Sequence, residues 1–357
     1  MENLAKTQTA GLRYCLDSSN ASILKSGMGR ALFPFEYRNG IFLPELNLRL
    51  DPRRRAPLAF VSHAHADHAC RHERVIATPE TLALMRARAL KQGQETALPF
   101  GVEREFAGGR IELFPAGHVL GSAQILVTTA SGRLVYTGDF KLRPGLSCEP
   151  PAIRTAEVLI METTYGLPRY RFPPSKEVTE AIIAFCRDSL SNGAAPVLMA
   201  YSLGKAQEVL VALKNTGLPI VVHETIARVV KVYRDYGIDF PDFSTFGEAP
   251  FEGKVVITPP SSTAAKALPQ VKNVRRAAIT GWGLDPSARY RFKCDAVFPL
   301  SDHADYEDLF RYVGQVSPRI VYTLHGYAEE FARDLRARGM EAWSLVSNNQ
   351  LELPLAF

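Results

Sequence analysis

At 357 residues, 46% of them hydrophobic, the chain holds more apolar material than one compact domain usually needs, and two interlocked domains are expected. Its 42 Lys and Arg against 37 Asp and Glu leave a net charge of +5, which suits a polyanionic partner but is too mild to require one. No run of 18 apolar residues and no apolar N-terminal stretch occurs, so neither a helical membrane span nor a signal peptide is expected, and five scattered cysteines (Cys15, Cys70, Cys148, Cys186, Cys294) without a CxxC pair read as reduced thiols of a cytoplasmic protein. In chain order, residues 31–62 read as short strands, with Asn39-Gly40 as a turn and the apolar run Pro57–Val61 as a buried strand. Thr78–Lys91 has helical spacing, with Leu82, Met85 and Ala89 on one side. Residues 110–115, 122–129 and 132–138 read as consecutive strands, the last two joined by a Ser131-Gly132 turn, and Val158–Met161 as another buried strand.

From about 170 to 290 the rhythm changes to alternating helix and strand. Helices are expected over 177–189, 204–214 and 225–236, and strands over 196–200, 220–222 and 255–258. Such alternation implies a mostly parallel sheet. An α/β unit therefore looks inserted into a strand-rich one. The chain returns near 295 with a strand, a helix carrying Tyr306, Leu309, Phe310 and Val313, and the strand Ile320–Thr323.

The chemistry concentrates in Ser62-His63-Ala64-His65-Ala66-Asp67-His68, directly after a buried strand. Three of the eight histidines fall in one hexapeptide, which an accidental polar loop does not explain. Alternate positions of an extended loop point the same way, so His63 and His65 can hold one ion, and the next turn can bring Asp67 and His68 to a second. Imidazole with carboxylate suits Zn²⁺ or Mn²⁺. Taken singly, Gly117-His118 before a strand and Gly138-Asp139 at a strand end are ordinary structural residues. Their order after the His-rich loop adds a third imidazole, His118, and a carboxylate, Asp139, able to bridge two cations at the ~3.5–4 Å spacing of two-metal hydrolysis.

The succession HxHxDH, His118, Asp139 resembles the metallo-β-lactamase superfamily. Glu162-Thr163-Thr164-Tyr165-Gly166, Ser301-Asp302-His303-Ala304-Asp305-Tyr306 and Leu324-His325-Gly326 resemble the additional motifs of its β-CASP nucleases. The run Ala200–Glu208 is similar to the strand–helix entry of the cap in cleavage-and-polyadenylation endonucleases. Together with Glu162–Pro174, it resembles bacterial exonucleases encoded beside an ATP-dependent DNA ligase and a helicase. The resemblance implies a four-layer αββα sandwich from residues 1–169 and 291–357, with an inserted α/β cap at 170–290 and two divalent ions, Zn or Mn, in the cleft. His63, His65 and His118 are expected on the first ion and Asp67 and His68 on the second, with Asp139 bridging and His325 completing the second set. Asp51 matches the acidic residue that steadies the ligand loop. His303 is expected to protonate the leaving oxygen, its ring held by Glu162.

The implied activity is hydrolysis of nucleic-acid phosphodiester bonds by a DNA exonuclease working from the 5′ end in DNA repair, on single-stranded or end-containing DNA, in functional association with a ligase and a helicase. One departure points elsewhere: cross-link-repair members often carry Val where this chain has His325, and RNA-processing members of the mRNA 3′-end type carry His. RNA is thus the second candidate substrate. Weaker signals are two loops able to hold a phosphate at a helix start, Ser202-Leu203-Gly204-Lys205 and Ser261-Ser262-Thr263, although N-caps explain the second equally well. Arg53-Arg54-Arg55 with Arg169 and Arg171 can track a backbone, and Tyr165, Tyr170 and Phe172 can stack on bases or simply pack a turn. His72 and His223 match no motif and are read as structural. A small-molecule hydrolase of the same fold is disfavoured by the inserted unit and the ETTYG and SDHADY motifs, and a scaffold without activity by the complete ligand set.

Overall fold

The structure is a computed structural model that describes residues 33–248, 250–260 and 273–346. Cys15 and the expected phosphate loop at Ser261 and Ser262 lie outside the described residues. The described residues begin with a six-stranded sheet laid down in sequence order. Its strands are β1 (Glu36–Tyr37), β2 (Ile41–Leu43), β3 (Leu48–Leu50), β4 (Ala59–Phe60), β5 (Arg74–Ala77) and β6 (Gln94–Ala97). The first pairings are antiparallel across the Asn39-Gly40 turn, and β3 through β6 run parallel. Helix α1 (Pro79–Ala87) starts where Thr78 Oγ1 accepts the Thr81 N–H, with proline in its first turn. It ends four residues before the expected Lys91, because Ala89 turns left-handed at φ +59° and the Leu90 amide closes back on Met85 O.

A second sheet follows with β7 (Glu103–Phe106), β8 (Gly109–Pro115), β9 (Ala123–Thr129), β10 (Gly132–Tyr136) and β11 (Val158–Glu162). After α2 (Ser175–Ser191) the chain builds a third sheet. Its elements are β12 (Ala195–Met199), α3 (Lys205–Leu213), β13 (Ile220–Val222), α4 (Glu224–Asp235), β14 (Ser244–Thr245), β15 (Val255–Thr258), β16 (Val274–Ile279), α5 (Ala288–Arg291) and β17 (Ala296–Phe298). Strand order is β14-β13-β15-β12-β16-β17, every pairing parallel. The last strand lies beyond residue 290, the expected end of the inserted unit. Then α6 (Tyr306–Val316), β18 (Ile320–Leu324), α7 (Ala328–Ala337) and β19 (Glu341–Ser344) return to the second sheet, where β18 joins β11 in parallel.

One apolar cluster joins the facing residues of the first two sheets, with Leu43, Leu48, Phe60 and Ile76 against Ile111, Ile125 and Ile160. A second covers the other face of the second sheet, where Val135, Leu159 and Met161 meet Leu309, Val313 and Phe331 of α6 and α7. A third runs from α1 into the third sheet and its helices. His223 is the N-cap of α4, its Nδ1 accepting the Thr225 N–H at 3.2 Å, so it is structural as expected.

Candidate active site

The site is built where loops leave the ends of β3, β4, β8, β10, β11 and β18. Asp51, just past β3 with φ +39°, is nearly fully buried. Its carboxylate accepts four hydrogen bonds: from Ser62 N (2.8 Å), Ser62 Oγ (2.6 Å), Tyr136 OH (2.8 Å) and His68 Nδ1 (3.0 Å). A buried carboxylate with so many charge-assisted bonds has one orientation. It fixes the start of the ligand loop and turns His68 Nε2 toward Asp139 Oδ1 (3.5 Å) and Asp67 Oδ2 (3.7 Å).

The protons on the other three histidines follow from their partners. His118 Nδ1 lies 2.8 Å from Asp302 O, and a carbonyl can only accept, so Nδ1 carries the proton and Nε2 the lone pair. His65 Nε2 lies 3.3 Å from Leu203 O, which leaves Nδ1 unprotonated by the same reasoning. Ser62 Oγ gives its hydrogen to Asp51 and so accepts from His63 Nδ1 at 3.0 Å, leaving His63 Nε2 bare. Burial holds the His63 and His118 rings well below the usual imidazole range and lowers His65 to about 4, so all three are neutral.

Their lone pairs converge. His65 Nδ1 and His118 Nε2 stand 3.1 Å apart, and His63 Nε2 and His118 Nε2 lie 3.6 and 3.9 Å from Asp139 Oδ2. One donor atom from each of His63, His65, His118 and Asp139 falls within 4.8 Å of all the others. His63 Nε2 is buried with no hydrogen-bond partner. Acceptors aimed at one another with no hydrogen between them repel, and a cation is the partner they fit. Asp139 reaches this point because Gly138 precedes it at φ +54°, where a Cβ would stand 2.6 Å from Ser62 Cβ. Burial pushes the Asp139 carboxyl up to about 7 against the pull of His68 and His303.

His68 stands between Asp67 and Asp139, its Nε2 near a carboxylate oxygen of each. Burial alone would raise Asp67 and lower His68, but attraction to His68 brings Asp67 down to about 2, and Asp139 and Asp51 bring His68 up to about 10. His325 sits beside them, its ring centroid 5.7 Å from that of His68, in the left-handed region at φ +61°. It lies outside the tight group of four.

His303 faces the group from the loop between β17 and α6. Its Nδ1 is 2.7 Å from Glu162 Oε1, and its ring centroid 4.6 Å from that of His118. Glu162 is buried at the end of β11 and also accepts from Phe140 N (2.9 Å), Thr164 N (3.2 Å) and Thr164 Oγ1. Burial opposes both charges, yet their attraction dominates, lowering Glu162 to about 2 and raising His303 to about 9.

Of these groups His65, Asp67, His68, Asp139, His303 and His325 line a cleft of about 290 Å³, together with Tyr201, Lys205, Thr280 and Trp282. Sequence reasoning missed two residues here. Arg88, just past α1, lines the cleft with a buried Nε that has no partner among the described residues, its Nη1 donating to Ser202 Oγ at 3.4 Å. Asp302 orients His118 through its carbonyl and pairs with Lys205 through its carboxylate (2.7 Å). The expected phosphate loop is correspondingly altered. Lys205 is buried, with Nζ shared between Leu300 O and Asp302, and the Gly204 amide is taken by Gln207 Oε1 at 2.7 Å. Ser202 keeps its place beside Arg88, and no free helix amide at Gly204 awaits an anion. Arg171 pairs with Glu307, and Arg169 donates to Tyr170 and Tyr327 hydroxyls. Tyr165 and Tyr170 are buried in an aromatic cluster with Tyr327, so turn packing is what they do. Thiols Cys70, Cys148, Cys186 and Cys294 are all free.

A family profile described as "Zn-dependent metallo-hydrolase RNA specificity domain" matches residues 289–344. The chain is 47% identical over 320 residues to a "Probable DNA ligase" of Opitutus terrae, an alignment covering 89% of this chain and 32% of that protein. It is 38% identical to an "Uncharacterized protein in lig 3'region" of Acidianus ambivalens, covering 40% of this chain and 99% of that protein. It is 26% identical to "5' exonuclease Apollo" of Danio rerio, covering 78% of this chain and 51% of that protein. This chain belongs to the β-CASP nuclease family of the metallo-β-lactamase superfamily. A solved structure of a protein of unknown function from Enterococcus faecalis V583 superposes with a TM-score of 0.51 over 74% of each chain at 14% identity, a likeness of fold alone. The chain spans about a third of the ligase relative and half of the Apollo relative. The convergent lone pairs of His63, His65 and His118 with Asp139 fit a divalent metal ion, in keeping with the zinc dependence named in the matching family profile.

Proposed function

We propose that the chain is a two-metal phosphodiesterase, a DNA exonuclease acting from the 5′ end in DNA repair. The observation that carries the reading is the convergence of three neutral imidazoles and one carboxylate within 4.8 Å, beneath a cleft whose wall carries the His303–Glu162 pair. His63, His65, His118 and Asp139 would hold one ion, Zn or Mn, and Asp67, His68, Asp139 and His325 a second. When bound, the ions supply Lewis-acid activation of a water and neutralise the phosphate's charge. The chain's own groups do the rest. Asp51 holds His68 in its working tautomer. His303, charged and presenting Nε2 to the cleft, delivers a proton to the leaving oxygen, and Glu162 keeps that ring charged and aimed. The first two sheets with their flanking helices would form the four-layer sandwich, and the third sheet its cap.

The DNA preference leans on relatives named for a DNA ligase and a 5′ exonuclease. A ligase relative of which this chain matches one third also supports functional association with a ligase, and by extension a helicase. RNA is the second reading, favoured by His325 in the cleft wall and by the description of the matching family profile. The test is digestion of matched end-labelled DNA and RNA single strands with Mn²⁺ or Zn²⁺, comparing wild type with Asp67→Ala and His303→Ala. Stepwise shortening of DNA from its 5′ end, lost in both variants by two orders of magnitude or more at about 10²–10⁴-fold for the acid alone, is the expected result. Cutting of RNA only would overturn the DNA assignment, and cutting of neither the nuclease reading.

A further inference from the structure

One segment that starts on the rim of the cleft carries cations with no ion pair among the described residues, although Arg289 Nε donates to Cys294 O at 3.4 Å. Residues 281–293 run from the cleft wall to the outer surface. Trp282, in the short turn Gly281–Leu284, packs on Tyr165 (ring centroids 4.9 Å) and lines the cleft. Tyr201 and Thr280 line both the cleft and an adjoining hollow whose far side is Phe292. Two residues before Phe292 in the chain, on α5, stands Tyr290, 89% exposed, the most exposed large hydrophobic side chain among the described residues. It is flanked by Arg289, Arg291 and Lys293, with no acid in residues 286–294. The nearest acids are occupied: Asp285 accepts from Ser287 N and Oγ, and Asp295 from Arg276 N. Arg291 Nε and Nη2 are buried with no hydrogen-bond partner among the described residues.

The backbone of the segment is closed by hydrogen bonds. Ala288 is buried, the Phe292 amide returns to Ala288 O (2.8 Å), Lys293 N to Tyr290 O (3.1 Å) and Cys294 N to Arg289 O (3.2 Å). An exposed aromatic ring between cations, on a segment that starts at the wall of the cleft, is the composition of a single-strand binding platform. Bases stack on any π-face, and flanking cations follow the phosphates. A backbone held by these bonds lowers the ordering cost of the segment.

We propose that Arg289, Tyr290 and Lys293 form a docking platform for the single-stranded nucleic acid that continues out of the cleft past Tyr201 and Phe292. Tyr290 stacks on a base, and Arg289 and Lys293 contact backbone phosphates. The proposal rests on the nuclease reading for the identity of the strand in the cleft. The test is fluorescence anisotropy of labelled oligo-dT and oligo-U of about 4 and about 12 nucleotides, a span typical of single-strand sites. It is run in chelator so that nothing is cut, on wild type, Tyr290→Ala, Tyr290→Phe and the double variant Arg289→Glu/Lys293→Glu. Expected is a loss of affinity of about five-fold or more for the longer strand in Tyr290→Ala and in the double variant. Tyr290→Phe should hold wild-type affinity, and the short strand should bind all four proteins alike. Hydrolysis of bis(p-nitrophenyl) phosphate with Mn²⁺ should be unchanged in every variant, which also reports that they fold. Equal affinity of all four for the longer strand, or an equal loss on the short one, overturns the platform. If wild type with metal cuts strands while Tyr290→Ala binds them normally, the platform alone is wrong. If it binds as expected and cuts nothing, the nuclease reading alone is wrong.

Discussion

At the scale of single residues, the site depends on groups that would not touch the substrate. Asp51 carries four hydrogen bonds, and two of its donors, Ser62 N and His68 Nδ1, have no alternative acceptor in the pattern described. Asp51→Asn would put an amide against these N–H groups and leave at least one buried donor unsatisfied, at about 1–3 kcal/mol. It would also release the tautomer of His68. We expect metal affinity to fall by about 10–100-fold and the urea midpoint to drop with it, measured by chelator-buffered metal titration and by denaturation of metal-free protein. Unchanged metal affinity would show that the carboxylate only packs. His72 illustrates a structural histidine with a pH signature. It is buried, and its Nδ1 accepts the Ala56 amide at 3.2 Å, so protonation removes an acceptor as well as burying a charge. Burial lowers its affinity for a proton in the fold, whereas the unfolded chain takes one up near the ordinary value of about 6.5. The unfolded state therefore binds more protons below that value, and stability falls as pH drops through it. Comparing urea midpoints at pH 8 and pH 5.5, His72→Gln should be less stable than wild type at pH 8, and the gap should narrow at pH 5.5. A constant gap would mean that the ring does not titrate with unfolding.

At the scale of elements, what could be read in the sequence was what alternation and burial make visible. The buried strands β11, β12, β13 and β15 are continuous apolar runs, as both faces of a covered parallel sheet require, and α3 shows its apolar side at 206, 209, 210 and 213. The ligand loop, His118 and Asp139 stood out by their order along the chain after buried strands, and Glu162 and His303 by the resemblance of their motifs to a family. Strand β16 was not. Its sequence VRRAAI carries two arginines where only the last three residues are buried, and its place in the sheet is fixed by β12 and β17 on either side. Helix α7 was missed because half of its residues are charged, leaving Phe331 and Leu335 as its large buried anchors. Short, exposed β6 and β7 have no apolar signal at all. The phosphate loop misled for a different reason. Ser-Leu-Gly-Lys before a helix does suit an anion, but Gln207 and Asp302, contributed from three and about a hundred residues away, take the donors first. Arg88 carried no signal because it is a lone cation past a helix end, and only the approach of Ser202 makes it part of the cleft.

At the scale of the whole molecule, the third sheet is not a loosely hinged lid. Its helix α4 packs with α1 in a single apolar cluster that includes Leu82 and Met85 from one side and Val229, Val230 and Tyr233 from the other. The Tyr233 hydroxyl accepts the Leu120 amide at 3.3 Å, two residues past His118. A core shared this way couples the stability of the third sheet to that of the loop around His118, so the two should melt together even though each has its own sheet. Leu82→Ala removes a buried side chain from the shared cluster and should cost about 2–5 kcal/mol. The chain's two tryptophans allow the coupling to be seen, since Trp282 lies on the rim beside the cap and Trp343 on β19 at the far edge of the second sheet. In Trp282→Phe and Trp343→Phe backgrounds, each remaining tryptophan should report the same urea midpoint, and Leu82→Ala should move both by the same amount. Two separate midpoints, only one of them shifted by Leu82→Ala, would show that the cluster is a contact between independent units, and the cleft between them would then be free to open without unfolding either.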